Sequence, residues 1–416
     1  MGLGPSIKMT TLHHFNCPVT KRLLQEEDIE FCGVVVNGVS ENFAEKVFSA
    51  KRTGEIAEAV RADGAIVAID GWGNHHIDFV NVIEQLGMRN IPTVGMSYIG
   101  LQGRLVATNT YVDTIIDFNK NESGYESCVV GDNNLDDSDA NKGVVILKRK
   151  MERRNKKPLE KSPNQRKIRT LTRKYCDIKD VKFGDSTDIT DEVLTIGKDL
   201  ITVSQKKRDR IKEIKVTVIR PEDNKHFFIN SNLDFSPIAY KINPEFLGKG
   251  DTFVLNGITC MLAGKEDVSG FQPSNIGSSE GFLDEQVKFN QAGTPKDTDF
   301  ILHIDVLFEE GEGRTAEGIQ EAHRAADEIV DVIRRKMNQF ERNYSSIESF
   351  SDMSRPGAKK VILVKIVSGL GNMYDSSVYP NQPGGFIGSE MLMNMKNTPV
   401  IISPCQCLDG VIHSLL

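Results

Sequence analysis

Residues 63–70 read Asp-Gly-Ala-Ile-Val-Ala-Ile-Asp, an apolar run with glycine on one side and acidic residues at both ends. A continuous apolar run of this length between turn residues is typical of a strand that is buried on both faces. Helical spacing precedes the run over Glu41–Arg61 and follows it over Phe79–Gly87. Strand and helix therefore alternate, which predicts a parallel sheet covered by helices on both sides.

The same alternation continues through the first 118 residues and returns near the C-terminus. Further strands are predicted at Phe31–Val36, Ile91–Met96, Phe253–Leu262, Phe300–Phe308 and Lys360–Val367, and a long helix at Thr315–Met337. The period-two pattern of Lys212–Ile219 indicates that antiparallel strands precede the strand predicted at Phe253–Leu262. We therefore predict the α/β class, with two domains of parallel or mixed sheets and a small antiparallel β region opening the second.

Charge divides the chain into three parts. The whole sequence carries 51 Lys and Arg against 58 Asp and Glu, a net charge of −7, yet Lys148–Lys174 alone is strongly basic. An acidic, loop-like block, Asp132–Asp139, precedes it. We predict a first domain at 1–118, a charged flexible linker at 119–174 and a second domain at 175–416.

Composition excludes several classes of protein. The 39% hydrophobic and 26% charged fractions of this 416-residue chain are those of a globular protein. Its apolar runs are too short for a membrane span, so we expect no membrane partner. Seven scattered cysteines favour a reducing compartment, and we expect a cytoplasmic protein without a disulfide framework.

The basic stretch Lys148–Lys174 has two interpretations. It could bind nucleic acid or an acidic partner, or it could lie against the acidic remainder of the same chain. The stretch lacks interleaved aromatic residues and any nucleic-acid fold signature, so we do not expect nucleic-acid binding.

A ligand crevice is predicted where the strand at 63–70 ends, because open α/β sheets bind ligands at the carboxyl ends of their strands. The loop 70–76 holds the only tryptophan of the chain, and a second histidine pair occurs near the N-terminus. An ordinary tight turn in which Asn74 caps the next helix is the alternative. The candidate ligand-binding residues are Asp70, Trp72, His75 and His76, together with His13 and His14.

Cysteines supply the remaining candidates for chemistry. Cys405 and Cys407 are the only close pair and suggest a redox-active dithiol, although burial as small apolar residues is the alternative. Neither a metal site nor a nucleotide site is expected, since the chain lacks the usual ligand spacings and the phosphate-binding glycine motifs.

The chain resembles the pyruvoyl-containing subunits of D-proline reductase and of the component B of glycine, sarcosine and betaine reductases. The segments that carry the resemblance to the smaller chain of the family are Met1–Lys8, Thr10–Phe15, Gly33–Asn37 and Asp63–Val67. Those that resemble its larger chain are Asp177–Gly184, Val254–Gly264, Gly270-Phe271 and Asp409–Ile412. In the family the larger part comes first, so the two halves here stand in permuted order and the charged stretch is expected to tether them.

The resemblance implies that a cysteine should become the pyruvoyl group, but no cysteine precedes Gly2. The sequence therefore assigns no definite cofactor. We expect a pyruvoyl group only if the Thr259-Cys260 bond is processed. Cys260, Cys405 and Cys407 are the candidate catalytic residues.

The function that the resemblance implies is that of a subunit in a D-proline or glycine reductase system of an anaerobic amino-acid-fermenting bacterium (Stickland metabolism). Such a system cleaves a C–N bond reductively with a dithiol reductant. Implied partners are a selenocysteine- or thiol-bearing reductase subunit and a small amino acid such as proline or a glycine derivative, within a hetero- or homo-oligomer. The alternative is a non-catalytic accessory, assembly or proline-sensing protein, and whether the chain is an enzyme stays open.

Overall fold

Strands from both ends of the chain build the parallel sheet that the sequence predicts. The computed structural model describes residues 9–40, 42–71, 73–122, 124, 127, 129–153, 165–243, 247–266, 280–337, 344–367 and 398–411. The helices are α1 Thr11–Asn16, α2 Pro18–Gln25, α3 Phe43–Ala59, α4 Asn74–Met88, α5 Asp137–Glu152, α6 Lys198–Ser204, α7 Leu283–Gln286, α8 Ala316–Met337 and α9 Pro404–Leu408. The strands are β1 Ile29–Gly38, β2 Gly64–Ile69, β3 Thr93–Ser97, β4 Ile115–Asp117, β5 Arg166–Asp177, β6 Asp180–Phe183, β7 Asp188–Thr190, β8 Val193–Ile196, β9 Ile211–Ile219, β10 Phe228–Ile229, β11 Asn232–Lys241, β12 Gly250–Glu266, β13 Gly281–Phe282, β14 Phe300–Phe308, β15 Ser346–Ser354, β16 Lys359–Val367 and β17 Val400–Ile402.

The first sheet has the strand order β17-β1-β16-β2-β3-β4, with all neighbours parallel except the antiparallel β17 at the edge. Strand β16 lies between β1 and β2, with Leu363 opposite both Val34 and Ile66. Its apolar run is buried from residue 361 to residue 367, so a central place with a strand on either side suits it. The sheet therefore draws on residues from both of the segments that we predicted as separate domains.

Helices cover both faces of this sheet, as the alternation predicts. Helices α3 and α4 pack on one face against a core that includes Val35, Val67 and Val364. Helices α2, α5 and α9 pack on the other face, against a core that includes Val34, Ile66 and Leu363. Residues that alternate along one strand thus point into two separate cores.

The second large sheet is mixed, with the order β15-β5-β12-β14-β9 and β11 added beside β12. The long strand β12 pairs in parallel with β5 through residues 250–256 and with β14 through residues 258–266. Helix α8 packs against this sheet with the stripe that its sequence predicts, including Ile319, Ile329 and Ile333. The small region at 177–196 forms the three-stranded sheet β6-β8-β7, which has one parallel and one antiparallel pair. The α/β class is confirmed. In the region that we predicted as antiparallel, β9 pairs antiparallel with β14 and β7 antiparallel with β8, whereas β6 and β8 are parallel.

The prediction of a flexible linker over 119–174 is wrong for the part of it that the structure describes. Helix α5 begins with a capping box between Asp136 and Asp139, and it buries Val144 and Leu147 in the core of the first sheet. Strand β5 is an internal strand of the second sheet. The apolar positions of α5 recur every three or four residues, but the dense charges around them hide that period in the sequence.

Basic residues of this segment pair with acidic residues of the same chain. Lys148 contacts Glu26 at 2.7 Å and Asp28 at 2.8 Å, while Lys174 contacts Asp251 at 2.6 Å. Much of the basic charge in the described part therefore lies against acidic residues of the same chain. This is the second of the two interpretations given above for the basic stretch. Within the described residues, no helix is long and apolar enough to cross a membrane.

Arg173, on strand β5, joins the second sheet to both ends of the chain. Its guanidinium is fully buried and donates to the backbone carbonyls of Phe15, at the end of α1, and Leu408, at the end of α9. It stacks on the Phe15 ring at 3.6 Å and reaches Glu348 at 3.4 Å. One planar cation thereby holds α1 and α9 side by side, a role that needs the fixed fork of arginine.

Replacing Arg173 with Met should destabilise the protein by about 3–5 kcal/mol, because two buried carbonyls would lose their donor. Arg169→Met is the matched control, since Arg169 lies on the same strand with 38% of its side chain exposed. It should cost about 0–1 kcal/mol. Urea unfolding of both variants measures the two free energies of unfolding, and equal costs would contradict the role assigned to Arg173.

Candidate functional site

The segment 10–20 brings two histidines and a cysteine to one face of the first sheet. Thr10 caps α1 by accepting a hydrogen bond from the backbone N–H of His13, and its own hydroxyl donates to the Gly293 carbonyl at 2.7 Å. Cys17 separates α1 from α2, and Pro18 occupies the first position of α2, where its missing N–H carries no penalty. This break in the helix holds the Cys17 side chain against the sheet.

Five buried side chains meet there, and we call them the thiol–lysine cluster: Cys17, Cys407, Thr20, His14 and Lys365. The Thr20 hydroxyl donates to Cys17 Sγ at 3.2 Å and lies 3.7 Å from Cys407 Sγ, so it bridges the two thiols. Lys365 Nζ lies 2.9 Å from His14 Nδ1, which accepts because an ammonium can only donate. All five side chains are at least 97% buried.

The cluster favours a thiolate at Cys17. Burial opposes the charge, but the hydrogen bond from Cys407 and the positive charge of Lys365 outweigh it and hold the pKa of Cys17 well below its usual range. The same hydrogen bond, together with burial, raises the pKa of Cys407 well above its usual range. Burial also works against the Lys365 ammonium, yet the negative charge at Cys17 outweighs it and raises the pKa of Lys365. The opposite directions of these two pKa shifts favour a thiolate at Cys17 beside an ammonium at Lys365.

A small cavity lies beside the cluster at the carboxyl end of β2. Its lining includes His13, His14, Asp70 and Lys365, and its volume is about 10 Å³. This is room for about one water molecule. Burial lowers the pKa of His13 to about 4, so its ring is neutral at pH 7.

The structure brings together some of the predicted site residues and separates others. His13, His14, Asp70 and Cys407 lie at or beside the cluster, whereas His75 and His76 belong to α4 on the opposite face of the sheet. His76 packs on Phe79, and burial lowers its pKa to about 4. Trp72 lies outside the described residues.

Cys405 and Cys407 do not face each other. Cys405 Sγ points to the Phe350 carbonyl at 3.8 Å, and burial raises its pKa to about 11. Cys407 instead pairs with Cys17, which the sequence analysis did not select. Lys365 was missed as well, although a lysine inside the apolar run 361–367 is itself a signal, because a charge in a central strand is rarely buried without a partner.

The surroundings of Cys260 do not fit a pyruvoyl precursor. Cys260 lies within β12, opposite Ser236 of β11 and Leu302 of β14, and it is 98% buried. Burial raises the pKa of its thiol to about 12, so the attacking thiolate is disfavoured. Self-cleavage before Cys260 would also cut β12, which is paired with β5, β11 and β14.

A larger groove of about 690 Å³ lies on the other side of α1, and we call it the α1 groove. Its lining carries charges of both signs: Lys21 contacts Glu348 at 2.9 Å, and the Tyr175 hydroxyl donates to Glu348 at 2.8 Å. Lys296 and Asp299 line it as well. This volume is in the range of small-molecule sites, and paired charges suit a ligand that carries both signs. No motif in the sequence marks the groove, since its residues come from distant segments.

Comparison with known proteins shows which protein family this chain matches. The sequence model for glycine/sarcosine/betaine reductase component B subunits matches residues 3–116 and 169–414, which include every member of the thiol–lysine cluster. The D-proline reductase proprotein PrdA of Acetoanaerobium sticklandii is 32% identical over 249 residues, 60% of this chain and 39% of that protein.

Two further relatives match shorter stretches. The component B subunit alpha of the betaine reductase complex from Peptoclostridium acidaminophilum is 35% identical over 94 residues, 22% of this chain and 21% of that protein. The glycine reductase component B subunits alpha and beta of A. sticklandii are 28% identical over 145 residues, 34% of this chain and 30% of that protein. This chain thus spans about two-fifths or less of the curated relatives it matches, and no solved structure matches it. The permuted order of the halves stays a prediction.

Replacing Lys365 with Met should raise the pKa of Cys17, because the thiolate would lose the cation that stabilises it. The pH at which half of Cys17 is ionised should therefore rise. The pH dependence of Cys17 alkylation, followed by peptide mass spectrometry, measures this value. Lys142→Met, on the exposed face of α5, is the control and should leave it unchanged. An unchanged pKa in Lys365→Met would contradict the ion pair.

Proposed function

Because this chain belongs to the family of glycine, sarcosine and betaine reductase component B subunits, we propose that it acts as a subunit of an amino-acid reductase system. Such a system would cleave a C–N bond of a small amino acid with electrons from a dithiol. The substrate would be proline or a glycine derivative, and a partner subunit with a selenocysteine or a thiol would take part in the cleavage. We propose that the protein works in the cytoplasm as part of an oligomer with this partner.

The α1 groove is the observation that carries this proposal. A small amino acid carries an ammonium and a carboxylate, and the groove offers Lys21 and Lys296 for the carboxylate and Glu348 and Asp299 for the ammonium. Burial opposes ionisation of Glu348, but the charges of Lys21 and Arg173 outweigh it and lower its pKa. Glu348 is therefore an anion at pH 7 and can pair with an ammonium.

The residues predicted to bind substrate take a different role in this proposal. The cavity beside His13, His14 and Asp70 has room for about one water molecule, which is too small for an amino acid. These three residues surround Lys365, so we assign them to holding its ammonium next to Cys17. The amino acid would bind across α1, in the groove.

Calorimetric titration of the reduced protein with D-proline, L-proline, glycine and sarcosine tests the groove. At least one should bind, and Lys21→Met should weaken that binding at least about tenfold, because a hydrogen bond to a charged group contributes about 1.5–3 kcal/mol. Lys142→Met, outside the groove, is the control and should bind as the native protein does. If none of the four binds, or if Lys21→Met binds equally well, the groove is not the amino-acid site.

A second candidate function is that of a non-catalytic accessory, assembly or proline-sensing protein of the same reductase system. The surroundings of Cys260 favour it, because a buried cysteine in the middle of a paired strand is poorly placed to become a pyruvoyl group. Without that carbonyl the chain would bind the amino acid or the active reductase and leave the bond cleavage to another subunit.

The intact mass of the purified protein shows whether Cys260 is processed. We expect one chain of 46.3 kDa, because the strand around Cys260 resists self-cleavage. Two fragments, one ending at Thr259 and one with a blocked residue 260 at its start, would contradict this expectation and favour a pyruvoyl enzyme.

A further inference from the structure

We propose that Cys17 and Cys407 form a redox-active dithiol that exchanges electrons with small disulfides and dithiols. The pair stands on the thiol–lysine cluster alone and needs neither the α1 groove nor an amino acid. It therefore goes beyond the proposed function, and it would supply a reductase system with an internal store of two electrons.

The geometry carries the pairing. Both sulfurs contact the same hydroxyl, that of Thr20, at 3.2 Å and 3.7 Å. The Cys407 thiol also lies 3.9 Å from the backbone carbonyl of His14, three residues before Cys17, which places it beside the break between α1 and α2. Cys17 lies at the break between two helices and Cys407 in the five-residue helix α9, so neither sits inside a long rigid element that would resist closure.

The other cysteines that the structure describes provide the contrast. Burial raises the pKa of Cys176 and of Cys405 to about 11, and that of Cys32 and of Cys260 to about 12. Those four thiols are inert at neutral pH, because the thiolate is the reactive form. Cys17 combines a depressed pKa with a second thiol that shares the Thr20 hydroxyl, and a thiolate with a nearby second thiol is the arrangement that thiol–disulfide exchange requires.

The reaction balances with a small disulfide as oxidant. The Cys17 thiolate attacks one sulfur of the disulfide, forms a mixed disulfide and releases one thiolate. The Cys407 thiol then passes its proton to the thiolate released in the first step and attacks Cys17 Sγ, which closes the Cys17–Cys407 disulfide and releases the second thiolate. One protein thiolate and one protein thiol are oxidised to a disulfide, and the external disulfide is reduced to one thiol and one thiolate. A small dithiol reverses the sequence.

Lys365 affects the reduction potential of the Cys17–Cys407 pair. Its ammonium stabilises the Cys17 thiolate, which exists only in the reduced form, so the disulfide should accept electrons readily. The cluster is fully buried beside a cavity with room for about one water molecule, so a disulfide or dithiol reaches Cys17 only when the short helix α9 moves away from α1. Low-molecular-weight disulfides and dithiols suit such a local opening, and we expect its rate to limit the exchange.

Incubation of the native protein with oxidised glutathione, followed by acid quenching and peptide mapping, tests the pair. We expect a Cys17–Cys407 linkage with the loss of two hydrogen masses, reversed by dithiothreitol. Cys407→Ser should instead keep one glutathione on Cys17, since the resolving thiol is gone. Cys405→Ser, which removes the neighbouring thiol of the same helix, is the matched control and should form the linkage as the native protein does.

Absence of the linkage in the native protein would overturn the proposal, and so would its loss in Cys405→Ser.

A second measurement uses glutathione buffers of graded redox ratio. Lys365→Met should shift the ratio at half oxidation at least tenfold toward easier oxidation, because the reduced form loses its stabilising cation. An unchanged ratio would overturn the role of Lys365. Failure of the amino-acid titration leaves both readouts unaffected, so the two proposals fail separately.

Discussion

The buried guanidinium of Arg173 is the interaction on which the arrangement of the site depends. It comes from the second sheet, donates to the carbonyls of Phe15 and Leu408, and stacks on the Phe15 ring. Cys17 follows Phe15 by two residues and Cys407 directly precedes Leu408. A single side chain from the middle of the chain thus determines how closely the two cysteines from its ends approach each other.

A second constraint is the burial of Lys365 in the centre of the first sheet. An isolated ammonium cannot be buried at such a place without a large penalty, so it needs an acceptor and a counter-charge. His14 provides the acceptor and the Cys17 thiolate the charge. Fold and chemistry are therefore linked: the strand that completes the sheet also carries the cation that activates the thiol. Helix α1 separates this cluster from the α1 groove, so its two sides face two different candidate sites.

Much of the fold could be predicted from local patterns. Strand β14 and helix α8 lie where periodicity predicts them, because each has a clear apolar pattern between turn residues. The insertion of β16 between β1 and β2 could not be predicted, since pairing between strands more than 290 residues apart leaves no local signal. Helix α5 was missed because its charges outweigh its apolar stripe. Within the site, the histidine pair, Asp70 and Cys407 were found from the sequence, but Cys17 was set aside as isolated because its partner lies at the far end of the chain.

A crystal structure of the fully reduced protein tests the thiol–lysine cluster most directly. We expect Cys17 Sγ and Cys407 Sγ to lie within hydrogen-bonding reach of the Thr20 hydroxyl and close to each other. We also expect Lys365 Nζ to be directed at Cys17 and Arg173 to be bound to the carbonyls of Phe15 and Leu408. A structure in which the two sulfurs are separated by other side chains, or in which Lys365 turns away from Cys17, would contradict this arrangement.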